Sequence, residues 1–289
     1  MTKRIYVIAF VAIISIGLAL SWAMGSAMVR PEVSHPAPAV APARDLMIDT
    51  SDGLLVAATY WPGRTPKSPG ILLLHGNGAS RGQVAANAAW LAGQGFAVLT
   101  IDFRGHGESS QRPRSFGWFE SRDAAAAFAW LKRTQQGAKI GVVGISLGGA
   151  ASLLGEDGPL PADALVLQAV YPDIRHAVHN RIAAVAGSIP AYALEPLLSF
   201  QSRLRFGIWP DWISPIDNLR AYRGPVLVIG GGNDRYTPPD ETRRMYGNAS
   251  RPKSLWLAEG LDHAQVSSLE SGEYRRHLLI FFTQHLGVP

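Results

Sequence analysis

Cysteine is absent from the chain. Its absence excludes a disulfide scaffold, a thiolate zinc site, a cysteine nucleophile and a lipoprotein anchor. Long runs of one charge are missing too. The formal net charge is +5, but the basic residues fall in short pairs such as Arg243–Arg244 and Arg275–Arg276. No nucleic-acid module is recognisable, so no nucleic-acid partner is expected. There are no internal repeats. The nearest metal-like spacing, His176-x-x-His179, lacks a helix-borne acidic partner, and neither metal nor organic cofactor is expected.

What is present is a sizeable apolar fraction, 47% of 289 residues, with 30 glycines and 20 prolines. That suits one large α/β domain with many tight strand-to-helix turns and argues against a helical bundle.

One apolar run is exceptional. Lys3 and Arg4 precede an unbroken stretch from Ile5 to about Ala23, long enough to cross a hydrocarbon core of about 30 Å as a helix. Cleavable signal cores are shorter, about 7–15 residues. Residues 1–30 are therefore read as an uncleaved membrane anchor, with cleavage near Gly25-Ser26-Ala27 as the alternative. Lys3 and Arg4 should stay on the cytoplasmic side, which puts the rest of the chain on the extracytoplasmic side, or makes it secreted or periplasmic if cleaved. Residues 31–44 contain Pro31, Pro36, Pro38 and Pro42. They read as a semi-extended linker holding a domain a few nanometres from the membrane.

From residue 45 to 289, apolar runs at 54–61, 70–75, 96–102, 139–144, 164–170, 226–229 and 254–257 alternate with helical patterns at 82–94, 119–135, 147–155 and 274–285. Strands alternating with helices imply a mostly parallel twisted sheet of about eight strands flanked by helices. The apolar stretch at about 172–223 interrupts the alternation. It is too long for a structureless loop and is read as a helical cap inserted after strand 6.

The strongest chemical signal is Gly144-Ile145-Ser146-Leu147-Gly148-Gly149, between a buried strand and a helix. A nucleophilic serine needs a sharp turn that lifts its hydroxyl above the sheet, and glycines clear the space around it. A hydroxyl also needs a base. His263, in Leu261-Asp262-His263-Ala264 just past the last strand, meets that requirement better than His35, His176, His179, His277 or His285. The acid that orients it should follow another strand. Asp234, in Gly231-Gly232-Asn233-Asp234, fits best, with Asp262, Asp173 and Asp217 as competitors. His75-Gly76-Asn77-Gly78 follows the first buried strand, so the backbone N–H groups of Asn77 and Leu147 are the candidate oxyanion donors.

These motifs, with Asp102-Phe103-Arg104-Gly105-His106-Gly107-Glu108-Ser109 and Ser214-Pro215-Ile216-Asp217-Asn218-Leu219, make residues 45–285 resemble an α/β-hydrolase, near the serine-aminopeptidase-like and membrane-tethered branch. The resemblance implies Ser146 as nucleophile, Asp234 and His263 as its triad partners, and a structural rather than catalytic His106. It puts the family's cap between Val170 and Pro225. The expected activity is hydrolysis of carboxylic esters or thioesters with an apolar acyl or aromatic group. A peptidase using Glu195 or Asp211 to catch a substrate amine, and a non-catalytic binding protein, are the alternatives. The sequence leaves the oligomeric state open.

Overall fold

The computed structural model describes residues 2–287. Helix α1 (Thr2–Val29) is followed by β1 (Glu32–Val33), β2 (Arg44–Asp49), β3 (Leu55–Trp61), β4 (Gly70–Leu74), α2 (Ala85–Gly93), β5 (Ala97–Ile101), β6 (His106–Gly107) and α3 (Glu120–Thr134). Then come β7 (Ile140–Ile145), α4 (Leu147–Leu153), β8 (Ala164–Gln168), α5 (Ile174–Ala186), α6 (Ser188–Ser199), α7 (Gln201–Phe206) and α8 (Pro215–Leu219). The chain ends with β9 (Val226–Gly231), α9 (Pro239–Asn248), β10 (Lys253–Ala258), α10 (His263–Ser267) and α11 (Gly272–Leu286).

Eight strands form the main sheet in the order β10-β9-β8-β7-β4-β5-β3-β2. The six from β10 to β5 are parallel, and β3 and β2 add an antiparallel edge. This is the expected mostly parallel α/β sheet. Its central strands are apolar throughout because both faces are covered. In β4, Leu72 and Leu74 pack with Phe128 and Leu131 of α3 on one face. The alternate residues Ile71 and Leu73 pack with Leu91 of α2 and Phe282 of α11 on the other. The antiparallel edge strand β2 was not anticipated, because its alternation is weak and half its residues are charged.

Residues 172–223 form a helical layer over the C-terminal edge of the sheet, made of α5, α6, α7, a short 3₁₀ turn (Pro210–Trp212) and α8. Ile174, Ala177, Val178 and Leu198 of this layer bury a third apolar cluster against Ala150 of α4 and Leu154 just after it. Its outer face is apolar as well, with Val185, Ile189, Leu204 and Trp212 exposed.

The proline-rich segment does not act as a free spacer. Glu32 and Val33 pair in parallel with His106 and Gly107, Glu32 N–H donates to Gly105 O at 2.8 Å, and the Ala39 N–H reaches Asp45 at 2.9 Å. The last turns of α1 lie against the cap: Ser21 Oγ donates to Leu197 O at 3.0 Å, Gln201 Nε2 donates to Ser21 O at 3.0 Å, and the Arg205 guanidinium sits 3.8 Å above the Trp22 ring.

The loop after β5 is held by several buried side chains. Asp102 accepts from the Arg81 backbone and guanidinium and from Glu108 N–H. Arg104 forks between Asp52 and Asp123 at 2.6 and 2.7 Å. A side chain at Gly107 would meet the Asp102 carboxylate at 2.2 Å, and φ there is +51°. His75, at the end of β4, pins this loop: its Nδ1–H donates to Gly76 O at 2.7 Å and its Nε2 accepts Phe103 N–H at 3.0 Å. An imidazolium would lose the second bond. Burial, with His106 adding to it, lowers the His75 pKa from 6.5 to about 3.

Between those two pH values the unfolded chain binds a proton that the folded chain refuses. The stability is complete above the unfolded value and is lost as pH falls toward the folded one. Denaturant unfolding between about pH 6 and pH 4 should therefore show a shallower acid loss for His75→Gln than for the unchanged chain. The difference should approach one proton, about 1.4 kcal/mol per pH unit.

Candidate functional site

The turn between β7 and α4 carries Ser146 with φ +47° and ψ −107°, a conformation non-glycine residues rarely adopt. Its neighbours explain why it persists. A Cβ on Gly144 would lie 2.4 Å from Gly149 Cα, and one on Gly148 would lie 2.4 Å from Leu74 O. Those are backbone atoms that cannot give way, so α4 starts this close to the sheet only over glycine. Ser146 N–H donates to Gln168 O at 2.8 Å, which fixes the turn to the end of β8.

The loop after β4 faces this turn. Gly76 N–H is held by Gln83 Oε1 at 2.9 Å, and Gly78 N–H by His106 Nε2 at 3.1 Å. Burial lowers the His106 pKa from its ordinary value, against the opposing field of Glu120, so Nε2 is free to accept. His106 thus positions the loop, in keeping with the structural role expected of it. The N–H groups of Asn77 and Leu147, the candidate oxyanion donors, take no backbone or side-chain partner among the described residues. Ser146, Asn77 and Leu147 line one cavity of about 150 Å³ with Tyr171, Ile174, Val178 and Arg181 of the cap.

Asp234 lies just beyond β9 and is 3% exposed. Its Oδ1 accepts from the N–H groups of Tyr236 and Thr237, both at 2.8 Å, and its Oδ2 accepts from His263 Nδ1 at 2.8 Å. His263 is the first residue of α10. The competing acids are engaged elsewhere. Asp262 caps α10 through Gln265 N–H at 2.9 Å. Asp173 caps α5 and holds His176 Nδ1 at 2.6 Å. Asp217 accepts from Ser214 Oγ at 2.6 Å.

The acid and histidine line a larger cleft of about 890 Å³ with Tyr236, Ala184 and Gly260. Among the described residues no hydrogen bond joins His263 to Ser146, and the two side chains face adjoining spaces. Arg181 and Tyr236 lie between these spaces: the guanidinium is 5.1 Å from the Tyr236 ring centre, and that ring is 5.4 Å from the His263 ring.

One residue that sequence reasoning missed ties the parts together. Gln168, fully buried at the end of β8, accepts Ser146 N–H through its carbonyl and donates from Nε2 to Val266 O of α10 at 2.6 Å. Its Oε1 accepts from the Tyr274 hydroxyl at 2.7 Å. The next residue, Ala169, accepts from Thr237 Oγ1 at 3.3 Å. The signal was a glutamine ending an otherwise apolar strand, where a buried polar side chain must have partners.

Glu195, proposed as a trap for a substrate amine, forms a two-pronged pair with Arg175, both contacts 3.1 Å. With Asp211 it lines a separate cavity of about 560 Å³ that does not include Ser146. His176 of the metal-like pair contacts Asp173 and Arg244, and His179 packs on Tyr192.

Comparison with known proteins bears on the fold and the family. Residues 66–206 match the family model described as serine aminopeptidase, S33. An uncharacterised protein of Mycobacterium tuberculosis is 31% identical over 276 residues, covering 93% of this chain and 91% of that one. The lysophosphatidylserine lipase ABHD12 of Danio rerio is 29% identical over 195 residues, 65% of this chain and 49% of the lipase. The Pyrococcus furiosus esterase Pf2001 superposes with a TM-score of 0.68 at 20% identity, covering 89% of this chain and all of the esterase. The chain is a hydrolase of the α/β-hydrolase fold and belongs to the S33 serine-aminopeptidase family.

Proposed function

We propose that the chain is a membrane-anchored serine hydrolase that cleaves carboxylic esters or thioesters with an apolar acyl or aromatic group, through an acyl-enzyme on Ser146. The observation that carries this reading is the Asp234–His263 hydrogen bond of 2.8 Å. It donates the Nδ1 proton to a buried carboxylate and leaves Nε2 as the basic nitrogen. His263 takes the Ser146 proton as the hydroxyl attacks the carbonyl carbon. The unpartnered N–H groups of Asn77 and Leu147 receive the developing oxyanion, helped by the positive end of the α4 backbone. His263 then protonates the leaving group, and a water deprotonated by His263 releases the acid. Contact between His263 and Ser146 is made when substrate is bound, as is common for catalytic hydrogen bonds that are long in the free enzyme.

An apolar substrate fits the lining of the nucleophile cavity, where Met28, Phe116, Ile174 and Val178 contribute. An ester fits better than a peptide because Glu195 is neutralised by Arg175 and lies outside that cavity. The membrane anchor is supported by α1, a helix of 28 residues with a mean hydropathy of 2.4 in its span. At 1.5 Å per residue it is about 40 Å long.

The unchanged chain should take up a fluorophosphonate probe, and Ser146→Ala should not. Hydrolysis of p-nitrophenyl esters should fall about 10⁴-fold or more in Ser146→Ala. A folded chain that neither labels nor hydrolyses would overturn the reading, and faster turnover of aminoacyl anilides than of esters would reassign it to a peptidase.

Asp234→Asn should lower kcat by about 10⁴-fold, because the amide presents the wrong partner to Nδ1. An Asp262→Asn chain serves as the contrast: it should lose stability through the α10 cap rather than kcat.

If α1 is an uncleaved anchor, the chain should stay in the membrane pellet after a carbonate wash, and its N-terminal residues should be recoverable from the mature protein. Recovery as a soluble species starting near Ala27 would mean signal cleavage instead.

A further inference from the structure

The cavity beside Ser146 holds two cationic side chains that acyl transfer does not require. Arg114 is 6% exposed and Arg181 is partly exposed, and both line the cavity with Ser146, Asn77 and Leu147. Arg114 has a single, long carboxylate contact, and Arg181 has none within 4 Å among the described residues. Arg114 Nη1 reaches Glu32 Oε2 only at 3.5 Å and Asn77 Oδ1 at 3.3 Å. Its Nε is buried with no partner at all. Glu120, the other acid acting on it, is occupied by Ser115 and Gly117. Arg181 donates to Ala177 O at 3.3 Å and lies over Tyr236, with no carboxylate within 4 Å among the described residues.

An unmatched buried guanidinium is costly. Arginine also stays protonated at any physiological pH, so it does not escape the cost by losing its charge. Elsewhere in this chain buried arginines are fully paired, as Arg81 is with Asp102 and Glu108 and Arg104 with Asp52 and Asp123. Burial lowers the pKa of both Arg114 and Arg181 from the ordinary arginine value, the direction expected where anionic partners are too few.

We propose that Arg114 and Arg181 form a subsite for an oxyanion of the substrate, so that the preferred ester carries a carboxylate or phosphate close to its scissile carbonyl. The site rests on the serine-hydrolase reading above and specifies which esters it accepts. The two guanidiniums enter from different elements, the loop before α3 and the cap helix α5. The Nε of Arg114 is a desolvated donor that has no partner within the protein. Met28 and Phe116 supply the apolar remainder of the wall, so the cavity suits an amphiphile with its anionic and apolar parts on either side of the ester.

The test uses matched pairs with the full chain in detergent. One pair is 4-nitrophenyl butyrate against 4-nitrophenyl hydrogen glutarate, which adds a carboxylate. The other is monooctanoylglycerol against its 3-phosphate. The expected result is a kcat/KM ratio favouring the anionic member by about tenfold or more in one pair or both, and which pair responds tells carboxylate from phosphate. In Arg181→Gln and in Arg114→Gln that ratio should collapse, and Arg181→Lys should keep part of it. A ratio at or below one in both pairs for the unchanged chain, or a ratio retained in both glutamine variants, overturns the proposal.

A second measurement does not depend on turnover. Calorimetric titration of Ser146→Ala with octyl phosphate, octanoate and octanol should show an anion bound more tightly than octanol by about tenfold. That preference should disappear when Arg181→Gln is added. Equal binding of all three overturns the subsite even if esters are hydrolysed. Preferential anion binding without hydrolysis of any ester keeps the subsite and overturns the enzymatic reading.

Discussion

The site hangs on how close α4 comes to the sheet. Its first turn packs against Gly144 of β7 and the Leu74 carbonyl of β4 at distances that leave no room for a Cβ. That approach forces Ser146 into a backbone conformation with φ +47°, which costs on the order of 1–3 kcal/mol. The buried sheet on both sides and the Ser146–Gln168 backbone bond hold it there. In return the hydroxyl stands at the sheet edge, and the unpaired N–H of Leu147 opens toward it. Relaxing the turn would move hydroxyl and amide together, so the proposed nucleophile and the proposed oxyanion donor are one mechanical unit. The histidine and acid form a second unit, and Gln168 joins the two through hydrogen bonds rather than through apolar packing, which could not fix direction as well.

How much of this was legible follows from the range over which each feature is determined. Strand β4 was read at 70–75 and found at Gly70–Leu74, and helix α3 was read at 119–135 and found at Glu120–Thr134. Both are written in local periodicity. Ser146, Asp234 and His263 stood out as candidates because each follows an apolar run with a glycine-rich turn nearby; of the three, the structure joins the acid to the histidine by a hydrogen bond. The two-residue pairing of β1 with β6 was not legible, since two residues carry no period and the partner lies more than 70 residues away. The same holds for Gln83, Arg114 and Gln168, whose meaning lies in distant carbonyls and amides. Arg181 left a fainter trace. With Ile174, Ala177 and Val178 it occupies one face of α5, and an arginine on an otherwise apolar helical face marks a place where charge has a task.

The course of residues 31–44 changes the picture of the anchor. A free proline-rich spacer would leave the catalytic domain to sample all orientations above a bilayer. Here Arg114 N–H donates to Val29 O at 2.8 Å, Glu32 pairs with the strand of His106, and Met28 reaches the cavity of Ser146. The end of α1 is therefore part of the wall of the cavity that holds Ser146. Removing it would take away apolar lining and loosen the segment that carries Arg114, so α1 has a structural reason to be kept that is separate from membrane attachment.

The exposed apolar face of the cap follows from the same arrangement. Val185, Ile189 and Leu204 project outward at 76% exposure or more, an arrangement that water disfavours when such residues cluster. They belong to the layer on which the last turns of α1 lie. If α1 spans a bilayer, this layer meets the headgroup region, where apolar side chains are stabilised. A substrate with an acyl chain would then travel a short apolar path from the bilayer, past Met28, to Ser146. The guanidiniums of Arg114 and Arg181 would meet its anionic end where the lining turns from apolar to polar. On that reading, the end of α1, the cap and the two arginines lie along one gradient of polarity beside Ser146.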